Sequence, residues 1–177
     1  MVLPNWIRIG LIGFIIIGTI PARTLQADSK QDADEILRTA GFKGGFIAHV
    51  GTGDGRLTVA LKQSENTQVQ GLVKSHTEVL AARKVVAEST QYGEVAVDQF
   101  DGFELPYVDN LVNLVVAEDL GDVKQEEVLR VLVPNGVAMI RDASGKWTKT
   151  VKPMDSRVPT ENFFCQLLDG HVICFGK

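Results

Sequence analysis

The sequence predicts a doubly wound α/β fold: a parallel sheet in strand order 3-2-1-4-5, flanked by helices, with a short antiparallel C-terminal extension. Three observations predict it. Short apolar runs alternate with amphipathic segments from Gly45 to Arg141, the pattern of strand–helix–strand units. The run Leu111 to Ala117 is apolar except at Asn113, as a parallel strand covered on both faces requires. A glycine-rich loop, Gly51-Thr52-Gly53-Asp54-Gly55, follows the first apolar run, where such a sheet places a binding turn.

Each element has its own signal. Ser29-Lys30-Gln31-Asp32 reads as a capping box, with Ser29 as N-cap of a helix through Thr39 and Gly41 placed to stop it. Gly45 to Val50 is the first strand. Arg56 to Ser64 is a helix with Leu57, Ala60 and Leu61 on one face. Val69 to Val73 is the second strand. Glu78 to Ser89 is the clearest helix, with Val79, Leu80, Ala82, Val86 and Ala87 expected on its buried side. Glu94 to Phe100 and Leu111 to Ala117 are strands three and four. Val123 to Leu132 is a helix ended by Pro134, with Asn135-Gly136 suited to a left-handed exit. Gly136 to Arg141 is strand five, and Lys146 to Val151 alternates as an antiparallel strand would.

The first 27 residues stand apart as a leader. Arg8 precedes an apolar run from Ile9 to Ile20, followed by Pro21-Ala22 and Leu25-Gln26-Ala27. A positive start, a short apolar centre and small residues at a cleavage point describe a secretory signal peptide. The run is shorter than the roughly 20 residues that span a bilayer, so an uncleaved anchor is the lesser reading. Cutting after Ala27 is expected, after Ala22 as second choice; residues 28–141 then form the domain and 142–177 the β-rich extension. The leader holds two of the 18 basic residues, Arg8 and Arg23, and none of the 22 acidic ones, so its removal takes the net charge from −4 to −6. A chain this acidic has no broad attraction for nucleic acid, and none for a membrane once the leader is gone. The basic residues Arg141, Lys146, Lys149, Lys152 and Arg157 read as a solvated strand face.

Phe163 to Phe175 reads as a hairpin around Asp169-Gly170, a type I′ turn signal. That register sets Cys165 opposite Cys174 on a non-hydrogen-bonded pair, with Cα atoms about 4.5 Å apart, inside the disulfide range. An exported chain would keep the bridge; a cytosolic one would carry two reduced thiols. His49 lies in strand one and is expected to pack rather than ligate. The sequence has neither Cys-x-x-Cys nor His-Glu-x-x-His, so no metal site is expected.

The glycine loop also specifies its ligand. A dinucleotide fingerprint G-x-G-x-x-G needs glycine at position 56, which is Arg56. The spacing is G-x-G-x-G instead. Together with Asp101-Gly102-Phe103-Glu104-Leu105-Pro106-Tyr107 before strand four, and Arg130-Val131-Leu132-Val133-Pro134-Asn135-Gly136 before strand five, it resembles the class I S-adenosylmethionine-dependent methyltransferases, small-molecule branch. The resemblance covers residues 36 to 141.

It implies S-adenosylmethionine as cofactor and a small-molecule substrate. Gly51, Thr52, Gly53, Asp54 and Gly55 would admit the methionine end, and Asp101 with Gly102 would meet the adenine. Position 73 matches the family carboxylate that holds the ribose hydroxyls, yet here it is Val73. That loss costs on the order of 1–3 kcal/mol if uncompensated. Asn113 stands where relatives often have a structural Asp. Glu118 and Asp119 end strand four, either as a base or orienting group for a nucleophile or as the cap region of the next helix. Export away from the cofactor, with Val73, opens an alternative: a degenerate methyltransferase fold serving as a binding or structural module. The stretch Asp169 to Phe175 also resembles one edge of a quinoprotein-type β-propeller blade, the trace of a larger relative.

Overall fold

The computed structural model describes residues 22–91 and 93–154, and the backbone of 163–168 and 171–176; side chains are described from residue 28 to 154. Helices are α1 (Ala22–Ala40), α2 (Arg56–Ala60), α3 (His76–Glu88) and α4 (Gln125–Val131). Strands are β1 (Gly45–Val50), β2 (Thr67–Val73), β3 (Val95–Gln99), β4 (Val112–Ala117), β5 (Leu132–Arg141), β6 (Trp147–Val151), β7 (Phe163–Leu168) and β8 (His171–Gly176).

The six-stranded sheet runs β3-β2-β1-β4-β5-β6. β1 to β5 pair in parallel and β6 joins β5 antiparallel. The expected order 3-2-1-4-5 holds, with one extension strand closing the edge. β7 and β8 form their own two-stranded sheet, with Cys165 facing Cys174 in register. The turn Asp169-Gly170 and both cysteine side chains lie outside the described residues, as do the leader's apolar run and Arg157.

Alternation along each strand sorts the core into two layers. Ile47, Val69, Val73, Val97, Leu114, Val116 and Met139 meet α1, α2 and α3 through Ala33, Ile36, Leu57, Val79, Ala82 and Val86. Ala48, Val50, Leu72, Val115 and Ala117 face the other way, onto Val128 and Val131 of α4 and onto Leu105 and Tyr107. Helices therefore cover both faces, which is why β4 tolerates almost no polar residue. Its exception is structural: Asn113 Oδ1 accepts the Phe46 N–H at 2.9 Å. On α3, Leu80 and Ala87 are exposed rather than buried as expected.

Three of the departures from the expected element boundaries have a visible cause. Helix α1 runs straight through Ser29, so Ser29 is not its N-cap: local capping chemistry yields to a helix already under way. Gly41 does stop it, at φ +73°, with the Gly41 and Phe42 N–H groups both returning to the Leu37 carbonyl. Helix α2 ends at Ala60, and Lys62 Nζ instead binds the Ser64 carbonyl at 2.7 Å and Glu94 at 3.1 Å. Asn135, φ +63°, sits in a bulge inside β5 rather than at a helix exit. The register there jumps from Val112↔Leu132 to Leu114↔Val137, so the bulge absorbs Pro134 without costing a ladder bond.

Two of the basic residues expected on a solvated face, Lys149 and Lys152, are instead tied to the fold, while Lys146 is exposed as expected. Lys149 Nζ binds the Thr39 and Ala40 carbonyls at 2.9 and 3.2 Å. Lys152 Nζ binds Leu132 O at 2.7 Å and Asn110 Oδ1 at 2.7 Å. Among the described residues no helix is long and apolar enough to cross a membrane.

Candidate functional site

The site lies at the carboxyl ends of the parallel strands, where the order reverses around β1 and β4. The three loop glycines do three different things. Gly51 (φ +72°) extends β1 by donating to Leu72 O, and a Cβ there would stand 3.1 Å from the Asp119 carbonyl oxygen. Gly55 (φ +83°) presses onto Ala82 of α3, whose backbone a Cβ would meet at 3.1 Å. Gly53 (φ +52°) has nothing within 4 Å of its missing Cβ. Of the three, only Gly53 faces open space, which leaves room for close approach to its backbone.

The remaining loop residues, Thr52 and Asp54, also line the crevice beside Gly53. Thr52 is buried, and a Cβ on Gly71 would collide with its methyl group; its hydroxyl is buried without a hydrogen-bond partner among the described residues. Asp54 is occupied locally, with Oδ1 accepting the Arg56 N–H at 3.0 Å and Oδ2 pairing with the Arg56 guanidinium at 3.0 Å. Helix α2 has five residues, and its first N–H, that of Arg56, is taken by Asp54.

Beside Gly53 opens a crevice of about 370 Å³, lined by Asp32, Asp54, Glu118 and Arg141 among others. Glu118, at the end of β4, is half-buried, and that burial pushes its carboxyl upward. The nearby Arg141 opposes the shift, while Asp32 and Asp54 add to it. Asp32 is raised in the same way, burial first. The Arg141 guanidinium stands 3.6 Å from Glu118 and 3.9 Å from Asp32, and stacks 5.5 Å above the Trp147 ring. The two acids at the end of β4 thus separate: Glu118 faces the crevice, while Asp119 Oδ1 closes a turn onto the Gly121 N–H at 2.8 Å. A larger hollow of about 780 Å³ between α1, α2 and α3 contains no strand-end residue, and lacks the backbone approach that the glycine loop provides.

In the loop after β3, outside the lining of the Arg141 crevice, Asp101 Oδ1 accepts the Phe103 and Glu104 N–H groups at 2.8 and 3.0 Å. Those bonds hold its carboxyl below the usual carboxylate range, and Oδ2 makes neither of them. Val73 is 2% exposed within the α3-side core, so its position at the end of β2 offers no acceptor side chain. The next residue, Lys74, carries its ammonium to Asp122 at 2.8 Å. Lys74, Asp32 and Arg141 were not singled out as site residues by sequence. The signal for Lys74 was a cation following directly on the missing carboxylate; for Arg141 it was an arginine closing the fifth strand.

His49 packs, as expected. It is fully buried, with Nδ1 2.8 Å from Thr58 Oγ1, and burial pulls its imidazole down to about 4. Among the described residues no three His, Cys, Asp or Glu side chains gather to hold a metal.

No protein-family model and no curated protein matches this sequence. Solved structures do match. A protein from Methanococcus maripaludis described as an S-adenosyl-L-methionine-dependent methyltransferase superposes with a TM-score of 0.60 at 24% identity, over 67% of this chain and 57% of its own. Geranyl diphosphate methyltransferase in complex with S-adenosylmethionine gives 0.55 at 17%, over 70% and 56%. The cyclase SpnF gives 0.56 at 25%, over 66% and 48%. The chain spans about half the length of these structures. Its fold is the Rossmann-like methyltransferase fold, and its neighbours include methyltransferases and a cyclase, so fold alone does not set the reaction.

Proposed function

We propose that this chain binds S-adenosylmethionine in the crevice beside Gly53 and serves methyl transfer to a small molecule. The observation that carries it is Gly53 itself: a left-handed glycine with open space above it, at the carboxyl end of the central strand, beside a crevice holding Arg141 and Glu118. The residues fit the cofactor at its methionine end. Arg141 is the cation for a carboxylate, and its two partners at 3.6 and 3.9 Å are loose enough to be exchanged. Asp101 Oδ2 is the acceptor for an adenine amino group. When bound, the cofactor supplies an activated methyl group.

This chain's residues orient the nucleophile and keep water away. Glu118 is the candidate base, because its raised carboxyl takes a proton more readily than an ordinary one; Asp119, tied to its turn, is not. Proximity can carry much of such a reaction's rate. Calorimetry of the full chain with S-adenosylmethionine and S-adenosylhomocysteine tests the reading. Gly53→Val should abolish binding; unaltered affinity in a folded variant removes the glycine loop from the argument.

Val73 favours a second reading, an exported binding or structural module built on this fold without turnover, since the ribose acceptor is missing. Binding of S-adenosylhomocysteine without methyl transfer to any acceptor would select it. The C-terminal hairpin as a trace of a propeller protein belongs to that reading. Export is proposed through residues 1–27, with a mature N-terminus near Asp28. The Ala27–Asp28 bond lies inside α1, so cleavage there shortens that helix. Mass spectrometry showing Met1 intact in a cytosolic pool would reject export.

A further inference from the structure

One side chain at the strand ends serves neither the glycine loop nor the Arg141 crevice. Lys74 is the first residue after β2, and its backbone is fixed by Gln99, whose Nε2 donates to the Lys74 carbonyl at 2.8 Å. From there the side chain runs past the loop after β3 to the loop after β4. A Cβ on Gly102 would collide with Lys74 Cε, and one on Gly121 would stand 3.0 Å from Nζ. The ammonium ends on Asp122 Oδ2 at 2.8 Å, with the Phe103 ring centre 6.0 Å away. In the sheet, β1 lies between β2 and β4. A link from the end of β2 to the loop after β4 therefore passes over the strand that carries the glycine loop.

We propose that Lys74 is an internal strap across the strand ends on the β2 side of the glycine loop, held by Asp122, which the nucleoside part of the cofactor must displace in order to bind. The proposal deepens the S-adenosylmethionine reading and rests on it. Two left-handed glycines on separate loops, Gly102 (φ +89°) and Gly121 (φ +58°), clear the path of this one lysine. A core-facing Val73 at the same strand end leaves the nucleoside no carboxylate to compete with the strap. The ion pair is half-exposed on both sides, 46% and 63%, so solvent screens it. Displacing it costs at most about fivefold in affinity, about 1 kcal/mol. The strap tunes affinity and does not seal the strand ends.

The test measures binding of adenosine and of S-adenosylhomocysteine to the full chain and to Lys74→Ala, Lys74→Met and Asp122→Asn. Adenosine is neutral, so its salt dependence reports the strap alone. The expected result is roughly fivefold tighter binding of both ligands by Lys74→Ala, with smaller gains for the other two. Raising salt should tighten adenosine binding to the native chain and leave Lys74→Ala unchanged. Without ligand, backbone hydrogen exchange in residues 101–104 and 119–122 should quicken in Lys74→Ala. Equal affinities with unchanged exchange overturn the strap alone. Weaker binding by Lys74→Ala overturns it too, making Lys74 a ligand contact. Absence of binding by every folded variant overturns the cofactor reading, and the strap with it.

Discussion

His49 should make this protein sensitive to mild acid. The imidazole is fully buried, and burial lowers it from 6.5 to about 4. A group whose folded value is depressed contributes stability present above its unfolded value and lost as pH falls through the folded one. The window is therefore pH 6.5 down to 4. Linkage over those two values gives a loss of about 2 kcal/mol between pH 7 and pH 5. Glu118 and Asp32 are shifted upward, so over their own range they gain stability as pH falls and partly mask the histidine. The comparison must therefore be made between variants. His49→Gln does not titrate and keeps an amide within reach of Thr58 Oγ1, which His49 Nδ1 meets at 2.8 Å. Urea melts at pH 7 and 5 should show the native chain losing about 2 kcal/mol more than the variant. Equal losses in the two proteins would refute a neutral buried His49 as the source.

Three further outcomes are expected. Val73→Asp should lower stability by at least about 2 kcal/mol, because it buries a carboxylate beside Val69 and Val97; tighter cofactor binding at unchanged stability would instead place position 73 in the crevice. Asn113→Ala should cost about 1–3 kcal/mol in denaturant melts by stranding the Phe46 N–H, and a neutral result would mean that the N–H finds another partner. Thiol titration of the chain from its native compartment should find no free thiol, given the facing register of Cys165 and Cys174 and the proposed export to an oxidising compartment; two free thiols would reject the bridge.

The sheet was legible because its signals are local. A run such as Leu111 to Ala117 declares a doubly covered strand wherever it lies, and the strand order follows from the alternation of elements. Boundaries failed where a distant partner decides them. Ser29 has the chemistry of a cap but sits inside a helix that packs Ala33 and Ile36 against the sheet. Lys62 leaves the expected helix because Ser64 and Glu94 provide its partners.

The site divides the same way. The glycine spacing named the loop, and Glu118 could be placed at a strand end, but nothing local distinguished it from Asp119. Arg141, Asp32 and Lys74 depend on loops that meet only after folding. Arg141 and Asp32 are 109 positions apart in sequence and 3.9 Å apart in space, and Lys74 finds Asp122 48 positions on. No window of sequence contains either meeting.

The short strand β6 has a consequence for where this fold can be cut. Its segment sends Lys149 to the last carbonyls of α1 on one side of the sheet, and Lys152 to the Arg130 and Leu132 carbonyls at the end of α4 on the other. Two helix ends on opposite faces thus share one donor strip, each gaining a cation where its carbonyls lack partners. Ending the chain at Arg141 removes no residue of the parallel sheet, yet it unties a helix on either side at once. The smallest autonomous unit therefore reaches through Lys152, and a deletion series should lose cooperative unfolding in a single step between residues 152 and 146 rather than by gradual fraying.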